Sequence, residues 1–300
     1  MNNYLATLEW RVEEKWDHQL LRRFLREQCH ISKRALADIK FNGGLILQNK
    51  QEVTVRSNIH IGDIITVCLP TEEVSLSVIP EFIDLDIAYE DDHLLVINKR
   101  AGMATIPSRE HPSGTLANAI LGFYKKKKHQ ATFHAVNRLD KDTSGLLIIA
   151  KHRLAHDRLS NLQKEGRLKR YYTAIVSGYV KNNTDTINAP IGRDSNSIIA
   201  RMVREDGKSA VTHFYVKARS RDKTVVEIKL ETGRTHQIRV HFAFIGHPLL
   251  GDDLYGGSCE ELKRQALHCH QIEFQHPFED KVVTIHKELP TDMKRFTFRE

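Results

Sequence analysis

The sequence Asn137-Arg-Leu-Asp-Lys-Asp-Thr-Ser-Gly145 is followed directly by the apolar run Leu146-Leu-Ile-Ile-Ala150. An apolar run of this length that contains β-branched residues is typical of a buried strand. The polar segment before it, which carries an arginine, two carboxylates and a Ser-Gly turn, is therefore predicted to be a loop held against a core strand. Loops held by rigid elements often carry catalytic groups, although an ordinary charged turn has the same composition.

A second polar segment reads Glu231-Thr-Gly-Arg-Thr-His-Gln-Ile-Arg-Val-His241. It follows the alternating, β-branched stretch Thr224–Leu230, which predicts a strand. The residues from Gln237 to His241 fit either another strand or a helix. Within them Arg239 lies between two apolar residues, and this flanking predicts a semi-buried position for its backbone.

Together the two segments resemble the RluA-type family of RNA pseudouridine synthases. The resemblance extends through residues 84–280, where further family patterns occur in the family's order. These patterns are Asp86–Lys99 followed by Ala101-Gly102, Arg170–Gly178, Gly246–Tyr255 and Leu267-His268.

The resemblance implies an enzyme that breaks the N1–C1′ bond of a uridine in RNA, turns the base and rejoins it through C5, without a metal or a cofactor. Asp140 matches the catalytic carboxylate, which acts either as a nucleophile on C1′ or as the base that removes the C2′ proton. A carboxylate in a dry pocket tends to take up a proton, and Arg239 matches the family's arginine that keeps it charged. The alternative for Arg239 is a surface ion pair of little energetic value.

Four further positions matter to the resemblance: two match the family and two depart from it. Tyr172 matches the tyrosine that packs against the uracil and is also a candidate for helping to move the C5 proton. Its neighbour Tyr171 is the alternative, and because side chains alternate along a strand only one of the two can reach the pocket. Arg138 matches the arginine that fills the gap left when the nucleotide flips out of the RNA. The chain departs from the family at Asn137, where histidine is usual, and at Arg100, where proline is usual; both departures bear on loop positioning and substrate choice.

The charge of the chain suits a polyanionic partner. The formal net charge is +7 and the isoelectric point is about 9.1. Residues 125–177 contribute thirteen Lys and Arg against four Asp and Glu, so the excess is concentrated around the Asp140 segment. RNA is therefore the expected partner.

The cysteines and histidines point to no metal site. None of the four cysteines forms a Cys-x-x-Cys pair, so a zinc ribbon and a redox motif are both unsupported, and free thiols of a reducing cytosol are expected. His236 and His241 would lie on opposite faces of a strand and make a poor ligand pair. With no signal peptide and no apolar run long enough to span a membrane, we expect a cytoplasmic monomer without cofactors.

The N-terminal part predicts a small module of two helices and a hairpin. Residues 18–29 predict the first helix, and Ser32 predicts the cap of a second helix that ends near Phe41. The order resembles the S4-like RNA-binding module, which implies RNA contacts from the exposed cations of both helices. The alternative is a charged solvent face on a small packing domain. The candidate contacts are Arg22, Arg23, Arg26, Lys33, Arg34 and Lys40.

The predicted organisation is therefore an S4-like α/β module with an N-terminal arm at residues 1–75, a linker at 71–83 and a catalytic domain at 84–300. The catalytic domain is predicted to be α+β, with a long mixed, mainly antiparallel sheet flanked by helices at Leu116–Tyr124 and Leu154–Lys164; residues 186–257 read as mostly β. The function indicated is an RNA pseudouridine synthase acting on structured RNA, with ribosomal RNA favoured and transfer RNA next. The competing hypothesis is a non-catalytic RNA-binding or ribosome-assembly protein.

Overall fold

A four-stranded antiparallel sheet and two helices form the N-terminal part of the computed structural model, which describes residues 4–73 and 77–296. The sheet has the order β1-β4-β2-β3. We refer to this unit as the N-terminal module. Its elements are β1 (Thr7–Arg11), α1 (Leu21–Glu27), α2 (Lys33–Phe41), β2 (Leu45–Gln48), β3 (Gln51–Glu52) and β4 (Ile64–Cys68).

The two helices of the module form where the sequence predicts them. α1 buries Leu21, Phe24 and Leu25 on one face. α2 begins after Ser32, whose side chain accepts a hydrogen bond from the backbone N–H of Ala35 at 3.1 Å, as an N-cap does. In the described residues before α1, β1 is followed by a 3₁₀-helix at Glu14–Trp16.

The rest of the chain is organised on one ten-stranded sheet. Its main path has the order β10-β13-β14-β9-β15-β8-β6-β5, with β7 paired to β8 and β16 paired to β15. The β8–β15 pair is parallel and the other pairs are antiparallel, so the predicted mixed, mainly antiparallel sheet is confirmed. The strands, including a separate β11–β12 hairpin, are β5 (Ile87–Glu90), β6 (Leu94–Lys99), β7 (His134–Ala135), β8 (Ser144–Ala150), β9 (Leu168–Ser177), β10 (Thr184–Asn188), β11 (Ile191–Arg193), β12 (Arg201–Val203), β13 (Val211–Arg219), β14 (Lys223–Leu230), β15 (Leu267–Gln275) and β16 (Val282–His286).

Four helices accompany this sheet: α3 (Leu116–Lys127), α4 (Arg153–Lys164), α5 (Gln237–Phe244) and α6 (Thr291–Lys294). The first two confirm the predicted helices. α5 decides the alternative left open for Gln237–His241 in favour of a helix. All residues of α5 from Gln237 to Phe242 are buried, so neither a strand period nor a helix period is visible in its sequence. Across the described residues, none of the helices combines the length and the apolar character that crossing a lipid bilayer requires.

β8 lies near the centre of the sheet and all of its residues are buried. Its pairing with β15 depends on Gly145, which has φ +113°. A Cβ at this position would lie 2.3 Å from the carbonyl oxygen of Cys269, so a larger residue would force the two strands apart. The close approach of the two strands at Gly145 fixes the N-terminal end of β8. It thereby also positions the preceding loop at residues 137–143, which we call the Asp140 loop.

The N-terminal module packs against α4. Leu154 belongs to the same buried apolar cluster as the module's own core residues, and Phe278 packs against that cluster. Arg153 Nη1 lies 3.3 Å from Asp38 Oδ2, and the guanidinium of Arg158 donates to the backbone carbonyl of Cys29. The module is therefore joined to α4 by both apolar and polar contacts.

The described residues of the predicted linker at 71–83 form no helix or strand; residues 74–76 lie outside the described part. Glu72 is nevertheless tied firmly to the large sheet. Its Oε2 accepts hydrogen bonds from the N–H and hydroxyl of Thr132 at 3.0 and 2.7 Å and lies 2.6 Å from His134 Nε2. Its Oε1 accepts a hydrogen bond from the N–H of Arg153 at 3.0 Å.

Candidate active site

A cavity of about 630 Å³ opens between the Asp140 loop and the N-terminal end of α5. This volume is within the range of ~300–1,000 Å³ that small-ligand sites occupy. The sequence-predicted residues Arg138, Asp140, Tyr172 and Arg239 all line it. Further lining residues are Thr105, Asn137, Lys141, Thr143, Arg170, Gly233, Arg234, Thr235, His236 and Gln237.

Asp140 faces the cavity beside Arg239. Arg239 Nη1 lies 3.2 Å from Asp140 Oδ2, and the side chains are 8% and 28% exposed respectively. The other side of the guanidinium is held by the fully buried Asp252, with Nε donating to Oδ2 at 2.7 Å and Nη2 to Oδ1 at 2.8 Å. Arg239 therefore bridges a fixed buried carboxylate and a partly accessible one.

The surroundings of Arg239 hold its charge in place. Burial opposes a charged guanidinium, but the hydrogen bonds and charge of Asp252 and the charge of Asp140 together raise the pKa of Arg239 above its ordinary value. The guanidinium also lies over the ring of Tyr255, 5.0 Å from its centroid. Arg239 consequently offers Asp140 a permanent, oriented positive charge.

Tyr172 forms part of the cavity wall from β9 and is 3% exposed. Burial raises the pKa of its phenol, so the hydroxyl stays protonated. Tyr171 is not among the residues that line the cavity, as expected for a neighbour on the opposite face of the strand. Tyr172 thus presents a neutral aromatic ring close to the Asp140–Arg239 pair.

Two buried side chains hold the backbone of the Asp140 loop by donating hydrogen bonds to its carbonyls. Lys99 Nζ donates to the carbonyls of Arg100, Met103 and Lys141 at 3.0, 2.8 and 3.0 Å. Burial lowers the pKa of Lys99 to about 7. Thr105 Oγ1 donates to the carbonyl of Leu139 at 2.7 Å. The carbonyls on both sides of Asp140 are therefore fixed, which restricts where its carboxylate can point.

The two departures from the family pattern lie close to this loop. Asn137 is buried, and its Oδ1 accepts the N–H of Ile148 at 3.0 Å, which ties the loop to β8. Its Nδ2 is buried and has no hydrogen-bond partner among the described residues. Arg100 is exposed and contributes its backbone carbonyl to Lys99. Asn137 therefore keeps a loop-positioning contact, whereas the Arg100 side chain points away from the core.

The sequence reasoning assigned no role to Asp252, Tyr255 or His236, although all three lie in segments that carry the resemblance. His236 Nε2 lies 3.9 Å from Asp140 Oδ2, and its Nδ1 lies 2.9 Å from the hydroxyl of Tyr255. The prediction that His236 and His241 occupy opposite faces of a strand is wrong, because His236 stands at the N-cap position of α5 and His241 lies within the helix. His241 is buried and bonded to Thr212 Oγ1 and the Ala189 carbonyl, both at 2.9 Å.

The predicted RNA contacts occupy two separate places. Arg138 is exposed at the cavity. The six module cations are all exposed but do not line it, and one of them, Arg23, is paired with Glu27 at 3.1 Å. The structure therefore brings Arg138 together with the catalytic candidates and leaves the following residues on the module: Arg22, Arg23, Arg26, Lys33, Arg34 and Lys40.

The arrangement suits chemistry on a nucleoside-sized group. One partly accessible carboxylate, paired with a permanent cation, can act as a nucleophile or as a general base. A buried aromatic ring beside it can pack against a flat heterocycle.

Comparison with known proteins agrees with this chemistry. Residues 93–244 match the family model described as RNA pseudouridylate synthase. The chain is 51% identical over 265 residues to the uncharacterized RNA pseudouridine synthase YjbO of Bacillus subtilis, covering 88% of this chain and 94% of that protein. It is 41% identical over 235 residues to the ribosomal large subunit pseudouridine synthase D of Buchnera aphidicola, covering 74% and 75%. The solved structure of human RNA pseudouridylate synthase domain containing 1 superposes with a TM-score of 0.58 at 26% identity, covering 70% of this chain and 85% of that one.

Proposed function

The chain belongs to the RluA-type family of RNA pseudouridine synthases, and on that premise we propose that it isomerises specific uridines of ribosomal RNA with Asp140 as the catalytic carboxylate. The observation that carries the assignment of Asp140 is its 3.2 Å contact with Arg239 inside a cavity walled by Tyr172. The reaction is an isomerisation, so the bonds broken and formed balance without a redox partner.

Asp140 acts on the ribose of the flipped uridine. In one route its carboxylate attacks C1′, and the N1–C1′ electron pair leaves with the uracil. In the other it removes the C2′ proton, and the uracil leaves as a glycal forms. In both routes C5 of the turned base then bonds to C1′: in the first the Asp140–C1′ ester bond breaks, and in the second C2′ takes its proton back. C5 then loses its proton and N1 takes one up, so that no atom is gained or lost. Arg239 holds a fixed positive charge beside the carboxylate, and the Tyr172 ring holds the detached uracil against the cavity wall.

The burial of Tyr172, which raises the pKa of its phenol, supports a packing role for this residue. A phenol that resists ionisation is a poor base for the C5 proton. Its neutral ring is instead a stacking surface that remains in contact while the uracil turns.

Arg138 fits the role of replacing the flipped nucleotide. It is exposed at the cavity and forms no side-chain hydrogen bond or ion pair with the described residues, so its guanidinium is available to RNA. The target uridine must leave the stacked strand to reach Asp140, and an arginine at the rim can occupy the gap.

The N-terminal module supplies RNA affinity. We propose that it corresponds to residues 1–75, followed by a linker at 71–83 and a catalytic domain at 84–300, and that it is S4-like. The exposed cations of α1 and α2 support this role, because phosphate contacts dominate affinity for structured RNA.

Ribosomal RNA is the proposed substrate because relatives near 40% identity are named for the ribosomal large subunit. The competing hypothesis of a purely RNA-binding protein is disfavoured by the intact Asp140–Arg239 pair, which binding does not require.

A pseudouridine map of total RNA tests the proposal. Cells lacking the protein are complemented with wild type or with Asp140→Ala. The proposal predicts that specific ribosomal sites vanish in the deletion and return with wild type alone. If the sites that vanish lie in transfer RNA instead, transfer RNA is the substrate. Restoration by Asp140→Ala would contradict the catalytic assignment.

A further inference from the structure

His236 stands at the start of α5 in an unusual backbone conformation. Its φ is 57° and its ψ is 18°, in the left-handed region. Residues other than glycine adopt this region at a cost in free energy, and such residues cluster at functional sites. The conformation places Nε2 3.9 Å from Asp140 Oδ2, the oxygen that Arg239 also approaches.

The second nitrogen of His236 is held by Tyr255. Nδ1 lies 2.9 Å from the Tyr255 hydroxyl, and that hydroxyl accepts the backbone N–H of Arg201 at 2.9 Å. A phenol has a single proton to donate. Because Arg201 already supplies a donor to the oxygen, the Tyr255 proton is free to be donated to Nδ1. The imidazole then carries its own proton on Nε2, which faces Asp140.

The groups around His236 favour this neutral form. Burial lowers the pKa of His236, and the nearby positive charges of Arg239 and Arg201 lower it further. Asp140 and Asp252 act in the opposite direction. Donation from Tyr255 to Nδ1 also blocks the position at which a second proton would bind.

We propose that His236 is a positioning residue for Asp140, with Tyr255 fixing the imidazole so that Nε2–H is directed at Oδ2. This inference rests on the proposed catalytic role of Asp140. The separation of 3.9 Å exceeds a hydrogen bond, and such contacts often shorten only when the substrate is bound. With Arg239 and His236 both on Oδ2, the other oxygen, Oδ1, is left to face the ribose.

The backbone tether from Arg201 gives the pair a fixed anchor. Arg201 begins β12, so the Tyr255 hydroxyl is tied to the β11–β12 hairpin as well as to His236. Tyr255→Phe would keep the ring beside Arg239 and remove only the hydroxyl. That substitution therefore isolates the hydrogen-bond function from packing.

Single-turnover pseudouridine formation on saturating enzyme tests the proposal, with His236→Asn, His236→Gln and Tyr255→Phe beside wild type. Asn tolerates the left-handed backbone but its amide nitrogen mimics Nδ1, whereas the amide nitrogen of Gln reaches the place of Nε2. Loss of a hydrogen bond to a charged group predicts a rate about tenfold to a hundredfold lower for His236→Asn. His236→Gln recovers much of that loss, and RNA affinity stays within a few-fold in both.

The pH profile provides the second readout. In Tyr255→Phe no hydroxyl donates to His236 Nδ1, so a proton can bind there. The resulting imidazolium then forms an ion pair with Asp140 Oδ2. The rate of this variant should fall as the pH drops from about 7 to about 5 while wild type falls less. Equal rates for Asn and Gln, or identical pH profiles for Tyr255→Phe and wild type, would overturn the proposal. Absence of product with wild type itself would instead overturn the proposed function.

Discussion

Arg239 Nη1 lies 3.2 Å from Asp140 Oδ2, while Nε and Nη2 of the same guanidinium donate hydrogen bonds to Asp252. The arginine is therefore oriented before any substrate arrives. A cation held by a buried partner costs no reorganisation when the carboxylate reacts, which is the property that makes preorganised charges effective in catalysis.

Asp252→Asn should damage both stability and catalysis. The substitution leaves the buried Arg239 charge without its main partner, and breaking a buried ion pair from one side typically lowers the free energy of unfolding by about 3–5 kcal/mol. Arg239 would also be free to turn away from Asp140, so isomerisation of bound RNA should slow. Chemical denaturation and single-turnover rates measure the two effects. Asp253→Asn, the exposed neighbour, is the matched control and should change neither.

Lys99→Met should loosen the Asp140 loop. The variant leaves three carbonyls without the donor that now joins them, and we expect the free energy of unfolding to fall by about 2–4 kcal/mol. Isomerisation of bound RNA should slow as well, because the carboxylate is less well placed.

Lys151→Met is the control for Lys99. Lys151 is also largely buried and bonds Glu90 and the Asp91 carbonyl at the far end of β8. This variant should lose stability but retain the rate on bound RNA. An equal loss of rate in both variants would show that the effect of Lys99 is general rather than local to the loop.

Glu72 should make stability depend on acid pH. Burial raises the pKa of Glu72. The hydrogen bond and charge of His134 and the hydrogen bonds from Thr132 outweigh burial and lower the pKa from 4.5 to about 2. Since the folded pKa is depressed, the stabilisation is complete above pH 4.5 and is lost as the pH falls toward 2. It amounts to at most about 3 kcal/mol.

Glu72→Gln removes this dependence. The difference in unfolding free energy between wild type and Glu72→Gln should be largest at pH 7 and shrink below pH 4.5, as measured by denaturation at several pH values. Glu288→Gln is the control, because the Glu288 side chain is 78% exposed and such ion pairs contribute little. A Glu72→Gln difference that is constant with pH would exclude the carboxylate charge as its cause.

The module cations should act on affinity and not on chemistry. Replacing Arg22, Arg26 and Arg34 by alanine removes up to three phosphate contacts, so the slope of log affinity against log salt should fall by up to about 2–3. The rate on bound RNA should stay near wild type. Deleting the whole module is a poorer test, because it would expose Leu154. An unchanged salt slope would remove these residues from the RNA contact surface.

A matched set of exposed cations on the large sheet controls for net charge. Lys181, Lys217 and Arg221 are exposed and lie outside the cavity. Replacing them by alanine removes the same charge. The slope of log affinity against log salt should nevertheless be steeper in this variant than in the module variant.

Much of the fold was predictable because its elements carry strong local patterns. The apolar run before Lys151 predicts β8, and Ser32 predicts the start of α2 through its capping hydroxyl. The resemblance singled out Asp140, Tyr172 and Arg239, and the structure places all three at one cavity. Their roles in the reaction remain predictions.

Other features depend on contacts that no local pattern records. α5 is buried from Gln237 to Phe242, so its sequence could not separate a helix from a strand. Asp252 stands thirteen residues from Arg239 and meets it only because the chain folds back after α5. Lys99 donates to a carbonyl of the loop that follows it and to one of the Asp140 loop, 42 residues away, and its own segment shows only that an apolar strand ends in a lysine. Tertiary contacts decided each of these.

The most direct test of the central claim is tritium release from RNA that carries uridine labelled at C5. Pseudouridine formation expels the C5 hydrogen, so wild type should release label from ribosomal RNA in a single turnover. Asp140→Asn, which keeps the size of the side chain, should release it at least about a thousandfold more slowly while RNA affinity stays within a few-fold. Release by Asp140→Asn at a rate near that of wild type would contradict the account.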